Sequence, residues 1–293
     1  MADAEQTFRF AQFEFPWLLG PADGRYVLRD EAGAHPRRVL VIDTLGAPER
    51  RFLTLRRARP VAPEPDPTPV ATTRATLIDA EALEDDRAGA QWLAAARRDP
   101  DGELDDALDA LNRAVYAHAI ATADALVREV RWEHALVTRL GWGHGEQVAE
   151  GRWADAVELP VPLRRRRRAD SLRPQERLAA MLSGRDRELV SETLALRARL
   201  DLDAGRDREA ALQLRVALEA GLAELEGDRA ELGERLAELR DARETVGGAA
   251  NVALRGPLDD ETRQGVAQVL ARLEAAFRAR AMSSLDAPET PSR

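Results

Sequence analysis

The sequence predicts an α+β protein, with a small N-terminal antiparallel β module followed by a mainly α-helical body. Three observations carry this. Apolar residues alternate with a period of two near the N-terminus, at Phe8 and Phe10 and again at Phe13 and Phe15. Five prolines from Pro60 to Pro69 forbid a helix or a central strand there. From Asp79 onward the apolar spacing is three and four, and a chain rich in Ala, Leu, Arg and Glu with 4% aromatic residues favours helix.

In the first strand, the change of register between Phe10 and Phe13 predicts a bulge near Ala11-Gln12. Pro16 stops that strand. Its aromatics, with Trp17, read as core. Asp23-Gly24 is a hairpin signal ahead of a second strand, Arg25 to Arg29. Val39-Leu40-Val41-Ile42 is apolar on both faces, as in a covered central strand. Leu45 to Pro48 then turns the chain into a fourth strand, Phe52 to Leu55. Arg50, Arg51, Arg56, Arg57 and Arg59 flank it and read as charges guarding an edge; a phosphate-contacting face is the alternative. The β module therefore spans 1–58 and a polyproline linker spans 59–72. A helical-hairpin domain fills 73–282, and a disordered tail 283–293. A short strand at Arg74–Ile78 leaves a second possibility, that the chain returns to the N-terminal sheet and the proline-rich stretch is a loop.

The helical body begins with Ala88–Arg98, ended by Asp99-Pro100. Asp101 can cap the next helix, whose face is Leu104, Leu108, Leu111 and Val115. After a break at Thr122 and Asp124, Leu126, Val130, Val137 and Leu140 are expected to line another helix. Gly141-Trp142-Gly143-His144-Gly145-Glu146 reads as a loop. Pro174 sits in the first turn of a helix that starts near Ser171. Leu194–Leu222 reads as two amphipathic helices joined at Ala204-Gly205-Arg206-Asp207. Leu218, Leu225, Leu232 and Leu239 recur every seven residues, which makes a homodimer through 211–239 one reading. Gly227-Asp228, with Glu231 completing a capping-box-like pair, favours a break and an antiparallel partner helix instead. Gly247-Gly248 is expected to end that helix. Pro257 to Glu261 starts the last one, with Val266, Leu270, Leu273 and Phe277 on its face.

Gly151-Arg152-Trp153-Ala154-Asp155-Ala156-Val157 and Gly205-Arg206-Asp207-Arg208-Glu209-Ala210-Ala211 share a skeleton: Gly-Arg, two residues, an acid, Ala, an apolar residue. Each resembles the turn and second-helix start of a tetratricopeptide repeat. Gly151, Trp153 and Ala156 match in the first. Gly205 and Ala210, followed by Leu214 and Ala217, match in the second, with Asp207 in place of the aromatic. The two copies lie 54 residues apart, not the family's 34. The resemblance covers about 140–160 and 190–222. It implies stacked helical hairpins, a peptide-binding groove and no catalytic residues.

Composition closes off several kinds of chemistry. The absence of Cys excludes disulfides, thiolate metal sites and cysteine nucleophiles. Every basic residue is Arg, which reads as GC-rich coding bias. The net charge of −9 is concentrated: eleven acids against three arginines give −8 within 79–109. Arg164, Arg165, Arg166, Arg167 and Arg168 form the opposite extreme. They read as solvated or paired with 79–109, or as a contact for an anionic partner. There is no apolar run of membrane-spanning length, and MADAEQTFRF has no leader character, so a cytoplasmic protein is expected. His35, His118, His134 and His144 show no metal spacing, and no phosphate loop, dinucleotide fingerprint or nucleophile elbow is present. No cofactor and no metal is therefore expected. The one catalytic constellation to weigh is His144 beside Glu146, with His as general base.

Taken together, the sequence points to a non-enzymatic interaction or scaffold protein. A protein partner would bind a helical groove near Trp142, His144 and Trp153, with Arg164–Arg168 at hand and the N-terminal module as a second contact. The alternatives are a nucleic-acid-associated regulator using the arginines at 50–59 and 164–168, and an enzyme centred on Gly141–Glu146.

Overall fold

A computed structural model describes residues 6–30, 33–46, 70–160 and 173–286. The chain divides into two units, Met1–Arg165 and Arg166–Arg293.

The first unit is a six-stranded antiparallel sheet carrying two helices. Its strands are β1 (Thr7–Phe15), β2 (Gly24–Leu28), β3 (Arg38–Leu45), β4 (Thr72–Asp79), β5 (Val137–His144) and β6 (Asp155–Leu159), in the order β2-β3-β4-β1-β5-β6. The helices α1 (Asp86–Ala96) and α2 (Asp101–Thr122) lie in the chain between β4 and β5. β1 pairs with β4 and β5 without a slip, Phe10 opposite Ile78 and Gly141, Phe13 opposite Ala75 and Thr138. The expected bulge is therefore absent. The apparent register change is a change of face: Ala11, Phe13 and Phe15 pack with Leu93, Leu104 and Leu111 of the helices, while Phe8 and Phe10 pack on the other face with Val41, Ile78 and Val148. Both faces of this strand are covered, so apolar residues occur in both registers.

β3 is an inner strand, as its two-faced apolar run implies. Asp23-Gly24 precedes β2 without joining it to β1, since β2 pairs with β3 alone. The segment at Arg74–Ile78 does return to the sheet, as β4, between β3 and β1. The domain division expected at 59–72 is thus replaced by one at Arg165. Strand Phe52–Leu55, the arginines at 50–59 and most of the proline-rich stretch lie outside the described residues.

The helix expected from Leu126 to Leu140 is not formed. α2 stops at Thr122, where Ala123 takes a left-handed conformation (φ 53°). Leu126 is exposed. The chain then enters β5, which contains Gly141, Trp142, Gly143 and His144, residues expected to form a loop. Gly151–Leu159, expected to open a second helix, likewise ends in strand β6. The helical hairpin anticipated at 140–160 is therefore a β-hairpin.

Among the described residues the second unit is helical, with α3 (Pro174–Leu182), α4 (Val190–Asp203), α5 (Asp207–Glu224), α6 (Arg229–Asp241), α7 (Arg243–Ala253) and α8 (Asp260–Asp286). α4 and α5 form the expected hairpin, turning at Gly205 with φ +69°, a conformation glycine adopts without strain. Ala195, Ala198, Ala210, Ala211 and Ala217 are buried in the unit. Helix α4 starts on a borrowed cap. Glu224, at the end of α5, accepts from the backbone N of Val190 (3.1 Å) and Ser191 (3.0 Å) and from Ser191 Oγ (2.6 Å). A carboxylate there satisfies orphan donors and complements the helix dipole.

The leucine ladder breaks between Glu224 and Arg229 in a 3₁₀ turn. Leu218, Leu222, Leu225, Leu232, Leu236 and Leu239 are buried in this chain's own core, not left as a seam at 211–239 for a second copy. Gly247-Gly248 does not end a helix. α7 runs through both, because Val246, Ala249, Ala250 and Ala253 bury one face and offset the ~1 kcal/mol that each glycine costs. In α8, Asp259 caps by accepting from Thr262 N (2.8 Å), and Val266, Leu270, Leu273 and Phe277 are buried as expected.

Candidate functional site

The site is built on β5, whose sequence alternates large and absent side chains. On the helix side of the sheet, Trp142 is buried against α1. A Cβ on Gly89 would lie 2.6 Å from Trp142 Cδ2, so only glycine admits the ring. On the opposite side, a Cβ on Gly141 would lie 2.6 Å from Phe10 Cζ and 2.7 Å from the Asp155 carbonyl oxygen. One on Gly143 would lie 2.9 Å from Trp153 Cα. Gly141 thus leaves room for the Phe10 ring and for β6 at Asp155-Ala156, and Gly143 for Val148 and the backbone of Trp153-Ala154, which lie against the sheet. Ala154 N bonds to Trp142 O (2.9 Å), Val148 is buried, and the Trp153 ring packs 5.4 Å from Phe10.

Beside this segment the same face opens into a cleft of ≈ 390 Å³. Its lining includes Phe8, Val39, Ile78 and Ala149, which are apolar, and Gln6, Arg25 and Glu146, which are polar. Val39 and Ile78 are directly paired across β3 and β4, so one apolar patch arises from two strands. The Arg25 guanidinium donates to the Glu146 carboxylate. Both side chains are exposed, at 46% and 76%.

Further along this face the sheet is polar and closed. Gln12 and Thr76 are buried, and Gln12 Nε2 donates to Thr76 Oγ1 at 3.0 Å. Glu14 accepts from Arg74 (2.9 Å) and Arg139 (3.1 Å), and Arg139 also pairs with Glu158 (3.1 Å). These cations already hold partners.

The acidic segment 79–109 finds cations within the first unit. Asp79 accepts from Arg9 and from Arg38 (2.7 Å), and Asp106 pairs with Arg37 (2.9 Å) and Arg38. Burial would lower the affinity of Arg38 for its proton, but Asp79 and Asp106 reverse this and hold the guanidinium above its usual range. Asp109 is pushed up by burial and by the like charges of Asp105 and Asp106. The pairing expected with Arg164–Arg168 lies outside the described residues.

In the second unit, the Asp186 side chain is 1% exposed. It accepts from Arg280 (2.9 Å), Arg177 (3.4 Å) and the Arg187 amide (2.8 Å). Burial pushes its carboxyl up, but the Arg187 amide, Arg280 and Arg177 outweigh that and hold it below the usual carboxylate range. This cluster ties the chain between α3 and α4 to α8. It is a structural tie.

The predicted partner residues separate. Trp142, expected in a groove, is core at 7% exposure; its large ring is needed to fill the space beneath α1. Trp153 is half-exposed, but pinned on Phe10. His144 ends β5 on the helix side, with Nδ1 3.4 Å from Thr7 Oγ1 and 3.7 Å from Asp86. Glu146 is on the cleft side with Arg25. The His144–Glu146 pairing weighed for general base chemistry is therefore not made. Arg164–Arg168 lie outside the described residues. Phe8, Arg25, Val39, Ile78 and Ala149 were not anticipated as a site. The signal that could have exposed the cleft is the spacing of Gly141, Gly143 and Gly145: period two marks a strand with one vacant face.

Among the described residues, no group of three or more His, Asp or Glu is arranged to hold a metal ion. None of the described helices is long and apolar enough to cross a membrane. Comparison of the chain with protein-family models, with curated proteins and with solved structures gives no match.

Proposed function

We propose that this chain is a non-enzymatic binding protein whose N-terminal unit receives an apolar group of its partner or ligand in the cleft beside residues 145–149. The observation that carries this reading is the cleft itself: ≈ 390 Å³, with an apolar floor and an ion pair at its mouth. That volume falls in the range of about 300–1,000 Å³ typical of small-ligand sites. That Glu146 pairs with Arg25 while His144 lies beside Thr7 and Asp86 supports binding over catalysis. The binding surface thus moves from a helical groove to a sheet face. The α4–α5 hairpin is where a tetratricopeptide-like contact would contribute.

A neutral apolar fluorophore tests this. Nile red should bind the native chain saturably at one site, and Ala149→Trp, which fills the floor, should abolish the signal while the far-UV circular dichroism is unchanged. Unsaturable binding, or equal binding by the variant, would reject the cleft as the site.

A further inference from the structure

We infer that the cleft selects a small amphipathic carboxylate, its alkyl part on Phe8, Val39, Ile78 and Ala149 and its carboxylate on Arg25 in place of Glu146. This rests on the cleft being a binding site and goes further by naming the charge that the ligand carries.

The argument starts from which charge at the mouth can be exchanged. Arg25 projects from β2, a strand fixed to β3 by pairing from Gly24–Ile42 to Leu28–Arg38. It is opposite Val41 in that register, and its guanidinium lines the cleft. Glu146 sits on a three-residue 3₁₀ turn, Gly145–Gln147, and its side chain is 76% exposed. Released from Arg25, it keeps its hydration, so an exposed pair of this kind opens readily. The other acid lining the cleft, Asp79, is already engaged by Arg9 and Arg38.

The mouth therefore offers an incoming ligand a cation carried on a paired strand, whose counter-charge is the more exposed member of the pair. A carboxylate reproduces the Glu146 contact and can use both guanidinium N–H groups in parallel. An ammonium ligand would have to use Glu146, which is the more solvated member, and would sit next to Arg25. The lining contributes apolar contact over Phe8, Val39 and Ile78, and its remaining charged residue, Asp79, is paired with Arg9 and Arg38. The ligand is thus an apolar body with a single anionic head, not a polyanion.

Isothermal titration of the full chain tests this, with decanoate, decan-1-ol and decylammonium as probes below their aggregation limits. Decanoate should bind at one site about tenfold or more tighter than decan-1-ol, the size expected for a hydrogen bond to a charged group. Arg25→Gln should bring decanoate down to the alcohol's affinity, and Glu146→Gln should raise decanoate affinity by removing its competitor. Both positions are exposed, and circular dichroism verifies that both variants fold. Equal affinity for decanoate and decan-1-ol, no effect of Arg25→Gln, or tighter binding of decylammonium would each overturn the carboxylate assignment while leaving the cleft as a binding site. No binding by any of the three alkyl probes would reject the cleft reading, and this inference with it.

Discussion

In the first unit a core of Phe, Trp and Leu is pressed between a sheet and two helices. In the second, six helices close over Leu and Ala, with Phe277 as the one buried aromatic in their cluster. All five tryptophans (Trp17, Trp92, Trp132, Trp142 and Trp153) belong to the first unit. The two units also use small residues differently. In the sheet unit, glycine makes room for a close neighbour: Gly89 for the Trp142 ring, Gly141 for the Phe10 ring and Asp155-Ala156, and Gly143 for Val148 and Trp153-Ala154. In the helical unit, alanines occupy the buried faces of α4 and α5, with side chains small enough for close helix approach and strong enough in helix propensity to keep the backbone regular. Charge is handled differently too. In the sheet unit the carboxylate shared by two arginines, Asp79, keeps 12% of its side chain exposed, whereas in the helical unit the shared carboxylate, Asp186, is buried to 1%. A small-residue position in the sheet unit is therefore a keyhole, and in the helical unit a spacer.

The tryptophan distribution makes this comparison measurable. Tryptophan fluorescence reports the first unit alone, while circular dichroism at 222 nm is dominated by the helices of the second. The largest effect is expected for Phe13→Ala, which removes a fully buried ring and should destabilise the sheet unit by about 3–5 kcal/mol. The fluorescence transition should move to lower denaturant with the dichroism transition of the helical unit in place. A coincident shift of both would show that the two units unfold as one.

Next is Asp186→Ala, which leaves Arg177 and Arg280 without their shared partner. It should cost the helical unit about 3 kcal/mol at pH 7, read from the dichroism transition. The sign with pH follows from the depressed carboxyl. The stabilisation is complete above the ordinary aspartate value of 3.8 and is lost as pH falls through the lower folded value. Glu224, pushed up by burial but held below 4.5 overall by Ser191 and the Val190 and Ser191 amides, acts in the same direction. The gap between wild type and Asp186→Ala should therefore close below pH 3.8. A gap unchanged between pH 7 and pH 3 would refute the tie.

The smallest effects come from the glycines themselves. Gly89→Ala meets the Trp142 ring at 2.6 Å and should lose about 1 kcal/mol net, overpacking outweighing the gain in helix propensity. Gly221→Ala meets one side-chain methyl, Leu273 Cδ1, at 3.0 Å, with its other neighbours at 3.5 Å or beyond, and should be near neutral. Equal effects at the two positions would erase the distinction between keyhole and spacer.

The fold was legible where one signal ruled. Helical spacing of Leu104, Leu108, Leu111 and Val115, and of Val266, Leu270, Leu273 and Phe277, marked faces that are buried as expected, because a helix shows its core side in its own periodicity. Pro174 and Asp259 marked helix starts. The errors cluster in 124–160, where Leu126, Val130, Val137 and Leu140 mimic a helical stripe although the strand pairs formed by β5 involve residues far away in sequence. Gly141 and Gly143 were read as loop because a glycine's own preference is for turns. Their strand is held by Phe8 and Phe10 on β1, a partner no local window contains. The cleft was illegible for the same reason. Phe8, Arg25, Val39, Ile78 and Ala149 come from five separate stretches, and only the sheet order brings them together.

By itself, then, the amino-acid sequence determined the class of the fold, the helices α1, α2, α5 and α8, the α4–α5 turn at Gly205, and the absence of thiol chemistry. These follow from local propensity, capping and composition, which act over a few residues. The tertiary structure alone decided that Arg74–Ile78 returns between β3 and β1, that 137–159 completes the sheet, that the leucines of 218–239 face inward, and that an arginine stands at the mouth of an apolar cleft. Those outcomes depend on which distant segments exclude water together, and burial of that kind is a property of the packed chain and not of any stretch of it.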